Sequence, residues 1–103
     1  MKFDCLELDK VDGFEWDDGN KDKNLKKHGL PHPIIEEIFF NEPLLIVEDF
    51  SHSENECRCL ALGKTFDAKY LFVAFTVRQN KIRVISARTM NKKERGFYEN
   101  QSL

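Results

Sequence analysis

The nine residues Tyr70-Leu-Phe-Val-Ala-Phe-Thr-Val-Arg78 constrain the fold more than any other stretch of the chain. They are aromatic, aliphatic or β-branched at both odd and even positions, so a strand built from them presents apolar side chains on both of its surfaces. Such a strand belongs in the middle of a sheet. Arg78-Gln-Asn-Lys81 then reads as a tight turn, and Lys81 to Arg88 resumes as a strand, which makes a hairpin. If Arg78 pairs with Lys81, Thr76 stands directly opposite Arg83.

Two more strands are expected at Leu44 to Phe50 and Cys57 to Lys64, completing a four-strand antiparallel meander, with a short strand at Gly13 to Trp16 before it. Asp17 or Asp18 offers an N-cap and Gly29 a left-handed stop. The helix between them is polar, with Asn20, Asn24 and His28 at every fourth position and Leu25 as its only aliphatic anchor. Leu30-Pro-His-Pro33 forms a rigid elbow, because proline fixes φ and restricts the residue before it. Ile34, Ile35, Ile38 and Phe39 fall on one helical stripe, so a second helix is expected from Pro33 to Phe40, ended by Asn41-Glu-Pro43. Asn91 and Glu94 have capping-box spacing, which starts a last helix carrying Lys92, Lys93, Arg95 and Tyr98. The expected class is α+β: two N-terminal helices and a C-terminal helix packed on one face of a four- to five-stranded, mainly antiparallel sheet.

At 103 residues the chain suits one domain, read as an acidic extension over 1–12 and a single domain over 13–103. No apolar run approaches membrane-spanning length, and acidic residues interrupt the N-terminus where a signal peptide needs an apolar core, so cytoplasmic residence is expected. Three cysteines, Cys5, Cys57 and Cys59, are an odd number, which points to reduced thiols. Cys57 and Cys59 read as small packing residues of a strand rather than a metal pair. The net charge of −2 conceals an asymmetry: residues 76–103 carry seven Lys/Arg against two carboxylates, and residues 1–75 carry nine against sixteen. A basic surface confined to one hairpin and one helix hints at a nucleic-acid partner.

Several of these residues form a recognisable set. Phe14-Glu-Trp-Asp17, Asn24-x-x-Lys27-His28-Gly29, the Phe39 to Pro43 stop, His52-Ser53 with Glu56 and Arg58, Gly63, Arg83-x-Ile85-Ser86-Ala87-Arg88, Glu94-Arg95 and Tyr98 resemble the BrnT family over about residues 13–100. The resemblance implies a RelE-like fold and the ribonuclease toxin of a type II toxin–antitoxin pair. It also implies a cognate BrnA-like antitoxin with a ribbon-helix-helix part, through which alone operator DNA would be contacted. The chain departs from the family after Lys-His-Gly, where Leu30-Pro-His-Pro33 replaces a small polar helix start, and in its acidic first dozen residues.

Metal-free RNA cleavage needs help for the 2′-hydroxyl, a proton for the leaving oxygen, and cations for the crowded phosphate. Arg83, Arg88, Lys27, His28 and Tyr98 are the expected catalytic set, with Arg78, Lys92, Lys93 and Arg95 binding RNA, and no metal or cofactor. Arg83 and Arg88 stand five apart, so they share a face only past a bulge or beyond the strand end. Four of them have a plainer alternative: a sheet salt bridge for Arg83, a solvated helix end for Lys27, a carbonyl cap for His28, and partial burial for Tyr98 beside a core Phe97; Arg88 is read as serving either the chemistry or antitoxin contact. His52 reads as an exposed loop residue, His32 and Trp16 as structural, and Glu56 with Arg58 as a surface pair. A non-catalytic module whose basic surface binds an acidic protein is the competing function, favoured by the acidic pI of about 5.9.

Overall fold

The computed structural model describes residues 10–49 and 57–101. His52, Glu56 and the acidic segment up to residue 9 lie outside the described residues. In chain order the elements are β1 (Gly13–Glu15), α1 (Asp18–His28), α2 (His32–Glu37) continued by a 3-10 turn (Ile38–Phe40), β2 (Leu45–Glu48), β3 (Cys59–Lys64), β4 (Tyr70–Arg78), β5 (Lys81–Thr89) and α3 (Lys92–Gln101). This is the α+β class. One five-stranded sheet runs in the order β1-β5-β4-β3-β2, so the doubly apolar β4 is indeed central. All pairings are antiparallel except β1 with β5. No helix among the described residues is long and apolar enough to cross a membrane.

The turn joining β4 and β5 has positive φ at both Gln79 (52°) and Asn80 (64°), the twist that a two-residue hairpin loop requires. It sets Arg78 against Lys81 and Thr76 against Arg83. Leu71, Val73 and Phe75, with Cys59, Ala61, Val84 and Ile82, form the first face of the sheet and its buried core. α2 and its 3-10 turn cover that face through Ile35, Ile38 and Phe39, whose ring meets Phe75 edge-on at 5.4 Å. Gly63 is required there: a Cβ on it would come within 2.9 Å of the Ile38 Cβ. Trp16 packs against this core and donates from Nε1 to Glu36 at 2.7 Å, with His32 against its ring, so both serve the fold.

α1 departs from the expected way of packing. Leu25 is half exposed, while Asn20 and Asn24 are buried. The reason lies in the sheet edge. β1 pairs only with Lys81 to Arg83, leaving the rest of β5 with unpaired backbone groups. Asn20 donates to the Val84 carbonyl at 3.1 Å, and Asn24 accepts from the Ala87 N–H at 2.9 Å while donating to the Asn20 carbonyl at 2.8 Å. Asparagine side chains thus complete the ladder where a strand stops, and the helix needs a polar stripe rather than an apolar one. Asp17 caps it in a reciprocal box with Asn20, and Gly29 closes it at φ 66°.

The three helices do not share one face. α3, capped by Asn91 with Glu94 as expected, lies over the second face, where Tyr98 packs on Tyr70. Tyr98 is buried and donates to the Pro43 carbonyl; Phe97 is half exposed, the reverse of the expected assignment. Among the cysteines, Cys59 is a buried thiol but Cys57 is disulfide-bonded. An odd count excludes a full set of bridges and does not exclude one.

Candidate functional site

The second face of the sheet carries the basic residues. On β4 its side chains are Tyr70, Phe72, Ala74 and Thr76; on β5 they are Arg83, opposite Thr76, and Arg88, opposite Phe72. These two arginines share a face because Ala74 pairs with Ser86 but Phe75 with Val84, leaving Ile85 as the extra residue of a bulge. The bulge reverses the parity between them. They still stand about 15 Å apart along the strand.

Arg83 sits at the outer corner. Glu15 is its partner across β1, and the guanidinium is held by Glu15 at 3.0 Å and by the capping Asp17 at 2.7 Å. The Asp17 carboxyl is kept below the ordinary carboxylate range by the Asn20 N–H and then by Arg83. Arg58, whose carbonyl accepts from Asp49 N–H beside β2, flanks Thr76 on the other side, and Arg78 stands two residues on along β4. Together with Lys23 of α1, these arginines line a pocket of about 490 Å³ that is closed by Asp17, Gly19, Asn20, Val84 and the bulge residue Ile85. Four cations therefore converge on one concavity, with Asp17 in its lining and Glu15 on the Arg83 guanidinium.

The other expected site residues lie elsewhere. Arg88 makes two 2.8 Å bonds to Glu94 and lies 4.2 Å over the Phe72 ring, which ties α3 to the sheet. Those bonds hold the Glu94 carboxyl below its usual range, and burial pushes the Tyr98 phenol up. Lys27 and His28 are exposed at the C-terminal end of α1, ten and eleven residues from Asp17 and so about 15–16 Å from the Arg83 corner. Lys92, Lys93 and Arg95 are exposed on the first turns of α3, with Arg95 5.6 Å from the Tyr70 ring. The expected five-residue convergence is not what the fold builds; Arg83 and Arg78 are joined instead by Lys23 and Arg58. For Arg58 the sequence held a signal: once β3 is antiparallel to β4, the residue before Cys59 is Thr76's neighbour. Lys23 had none, since its place depends on how a polar helix meets a strand edge.

Residues 16–94 match the family described as ribonuclease toxin, BrnT, of type II toxin-antitoxin system. The chain belongs to the BrnT family. A solved structure agrees in fold: that of the Brucella abortus ribonuclease toxin, BrnT, superposes with a TM-score of 0.58 over 78% of this chain and 97% of that one, at 20% identity. No curated protein sequence matches. The BrnT match covers every element from α1 to β5 and the capping box of α3, and so includes all four cations of the pocket.

Proposed function

We propose that this BrnT-family chain is an endoribonuclease that cuts RNA in the pocket of Lys23, Arg58, Arg78 and Arg83, acting in the cytoplasm and neutralised by a cognate antitoxin. The observation that carries the reading is the convergence of those four cations, from β4, β5, α1 and the residue just before β3, on one concavity. Guanidinium groups bind phosphate oxygens through paired donors and stay charged at any working pH. In a partly enclosed site they stabilise the extra charge of a five-coordinate phosphorus. Among the described residues Glu15 and Asp17 are the carboxylates beside the Arg83 guanidinium, and Glu15 is assigned to take the 2′-hydroxyl proton; the 2′-oxygen then bonds to phosphorus as the bond to the 5′-oxygen breaks, and water supplies that leaving oxygen with its proton. Arg88 and Tyr98 hold α3 in this reading, and Lys27 and His28 lie beyond the reacting phosphate. The antitoxin is expected to be BrnA-like, with a ribbon-helix-helix part that carries the complex to operator DNA.

A second reading keeps support from one feature: Arg83 and Arg88 are each already matched by carboxylates, as in a surface built for an acidic protein. Expression in growing bacteria separates the two. Wild type should arrest growth with bulk RNA breakdown, Arg83→Ala should grow with intact RNA, and Arg88→Ala should still cut RNA. Normal growth and intact RNA with the wild type would transfer the assignment to the binding module.

A further inference from the structure

Thr76 places a hydroxyl in an apolar strand. From Leu71 to Val77 it is the only side chain that can hydrogen-bond, and it is 1% exposed, so its hydroxyl needs a partner inside the fold. That partner is the Cys57 carbonyl, to which Thr76 Oγ1 donates. Buried and turned to the main chain, the hydroxyl is out of reach of a substrate.

The residue this bond bears on is Arg58. The β3–β4 ladder pairs Cys59 with Phe75, so Arg58 stands opposite Thr76, one step past the last pair. Arg83 stands opposite Thr76 on the other side. With strands ~4.8 Å apart, the two arginine Cα atoms lie about 10 Å apart with a short residue between them, which leaves a phosphate room between two long side chains. For both guanidinium groups to reach it, Arg58 must leave the backbone in the right direction.

Two peptide planes set that direction. A peptide unit is planar, so the Cys57 carbonyl and the Arg58 N–H turn as one body, and the Thr76 hydroxyl holds that body against β4. The next plane is held through the Arg58 carbonyl, which accepts from Asp49 N–H at 2.8 Å, and by the start of β3 at Cys59. Holding both planes fixes φ and ψ of Arg58, and with them its Cα–Cβ direction.

We infer that Thr76 is a positioning residue, whose hydroxyl orients the peptide before Arg58 so that Arg58 and Arg83 close on one phosphate. The inference rests on the ribonuclease reading and adds to its site a buried, uncharged residue that acts through Arg58.

The test measures kcat/KM on a fluorophore- and quencher-labelled RNA of mixed sequence. Thr76→Val keeps the branched shape without the hydroxyl and Thr76→Ser keeps the hydroxyl; both are made in wild type and in an Arg58→Ala background. Thr76→Val should lose about tenfold or more, the scale of a misplaced group in a site, and Thr76→Ser should stay within about threefold of wild type. In the Arg58→Ala background Thr76→Val should cost no more than about twofold, since the residue it orients is gone, whereas a structural role costs the same in both backgrounds. Thr76→Ala serves in its place if circular dichroism shows Thr76→Val unfolded. Where a variant's rate is at background, affinity for the uncuttable 2′-O-methyl RNA is compared instead. Full activity of Thr76→Val, failure of Thr76→Ser to retain activity, or an equal loss with and without Arg58 overturns the positioning role and leaves the pocket standing. Wild type that cuts no RNA overturns the ribonuclease reading itself, and the positioning role with it.

Discussion

Asn24 and Leu25 illustrate how a residue's weight follows from what it touches. Asn24 is fully buried and satisfies the Ala87 N–H and the Asn20 carbonyl, whereas Leu25 stands half in solvent. Asn24→Ala should therefore cost about 1–3 kcal/mol in urea unfolding, since it leaves a buried donor without a partner, and Leu25→Ala should stay within ~0.5 kcal/mol. Polarity alone would have ranked them the other way. Cys59 gives a residue-scale pH effect: burial pushes its thiol up to about 11. An unfolded thiol ionises near 8.5 to 9, so the folded state binds the proton more tightly. The stability this contributes is present below about pH 9 and is lost as pH rises toward 11. Thermal unfolding of wild type beside Cys59→Ala between pH 8 and 11 should show a steeper alkaline decline in wild type.

At the scale of elements, α3 is attached to the sheet by the buried Tyr98, its hydroxyl on the Pro43 carbonyl, the Arg88–Glu94 pair stacked on Phe72 and Arg95 over the Tyr70 ring. Because Arg88 holds the folded Glu94 carboxyl below its ordinary range, the pair's contribution is complete above about pH 4.5 and disappears as pH falls through the lowered folded value. Glu94→Gln should thus lower stability by about 1 kcal/mol at pH 7 and by progressively less as pH falls below 4.5, read by circular dichroism melts. Tyr98→Phe should cost about 1 kcal/mol through the lost hydrogen bond, while Phe97→Ala, at 52% exposure, should cost less. The β4–β5 turn holds a different reserve. Gln79 carries positive φ without being glycine or asparagine, so Gln79→Gly should raise the unfolding midpoint modestly without moving the register.

On the scale of the whole molecule, Arg78, Arg83 and Arg88 of the basic end of the chain collect on one face of the sheet. The core face is apolar and the second face basic, with carboxylates stationed at the Arg83 corner and beneath α3. RNA affinity should accordingly fall steeply with salt despite the acidic pI, whereas a partner held by apolar contacts would show a shallow dependence. The sequence by itself determined the central strand, the hairpin register, both helix caps and the opposition of Thr76 to Arg83, because each depends on periodicity or on residues within a few positions of one another. The family was equally legible, carried by motifs spread over most of the chain. Only the tertiary structure decided which cations meet. A one-residue bulge at Ile85 brought Arg83 and Arg88 onto one face, the open edge of β5 took in Asn20 and Asn24 and so placed Lys23, and β3 carried Arg58 to Thr76. Each of these is set by backbone groups seeking partners far along the chain, and no local pattern of side chains encodes where those partners will be.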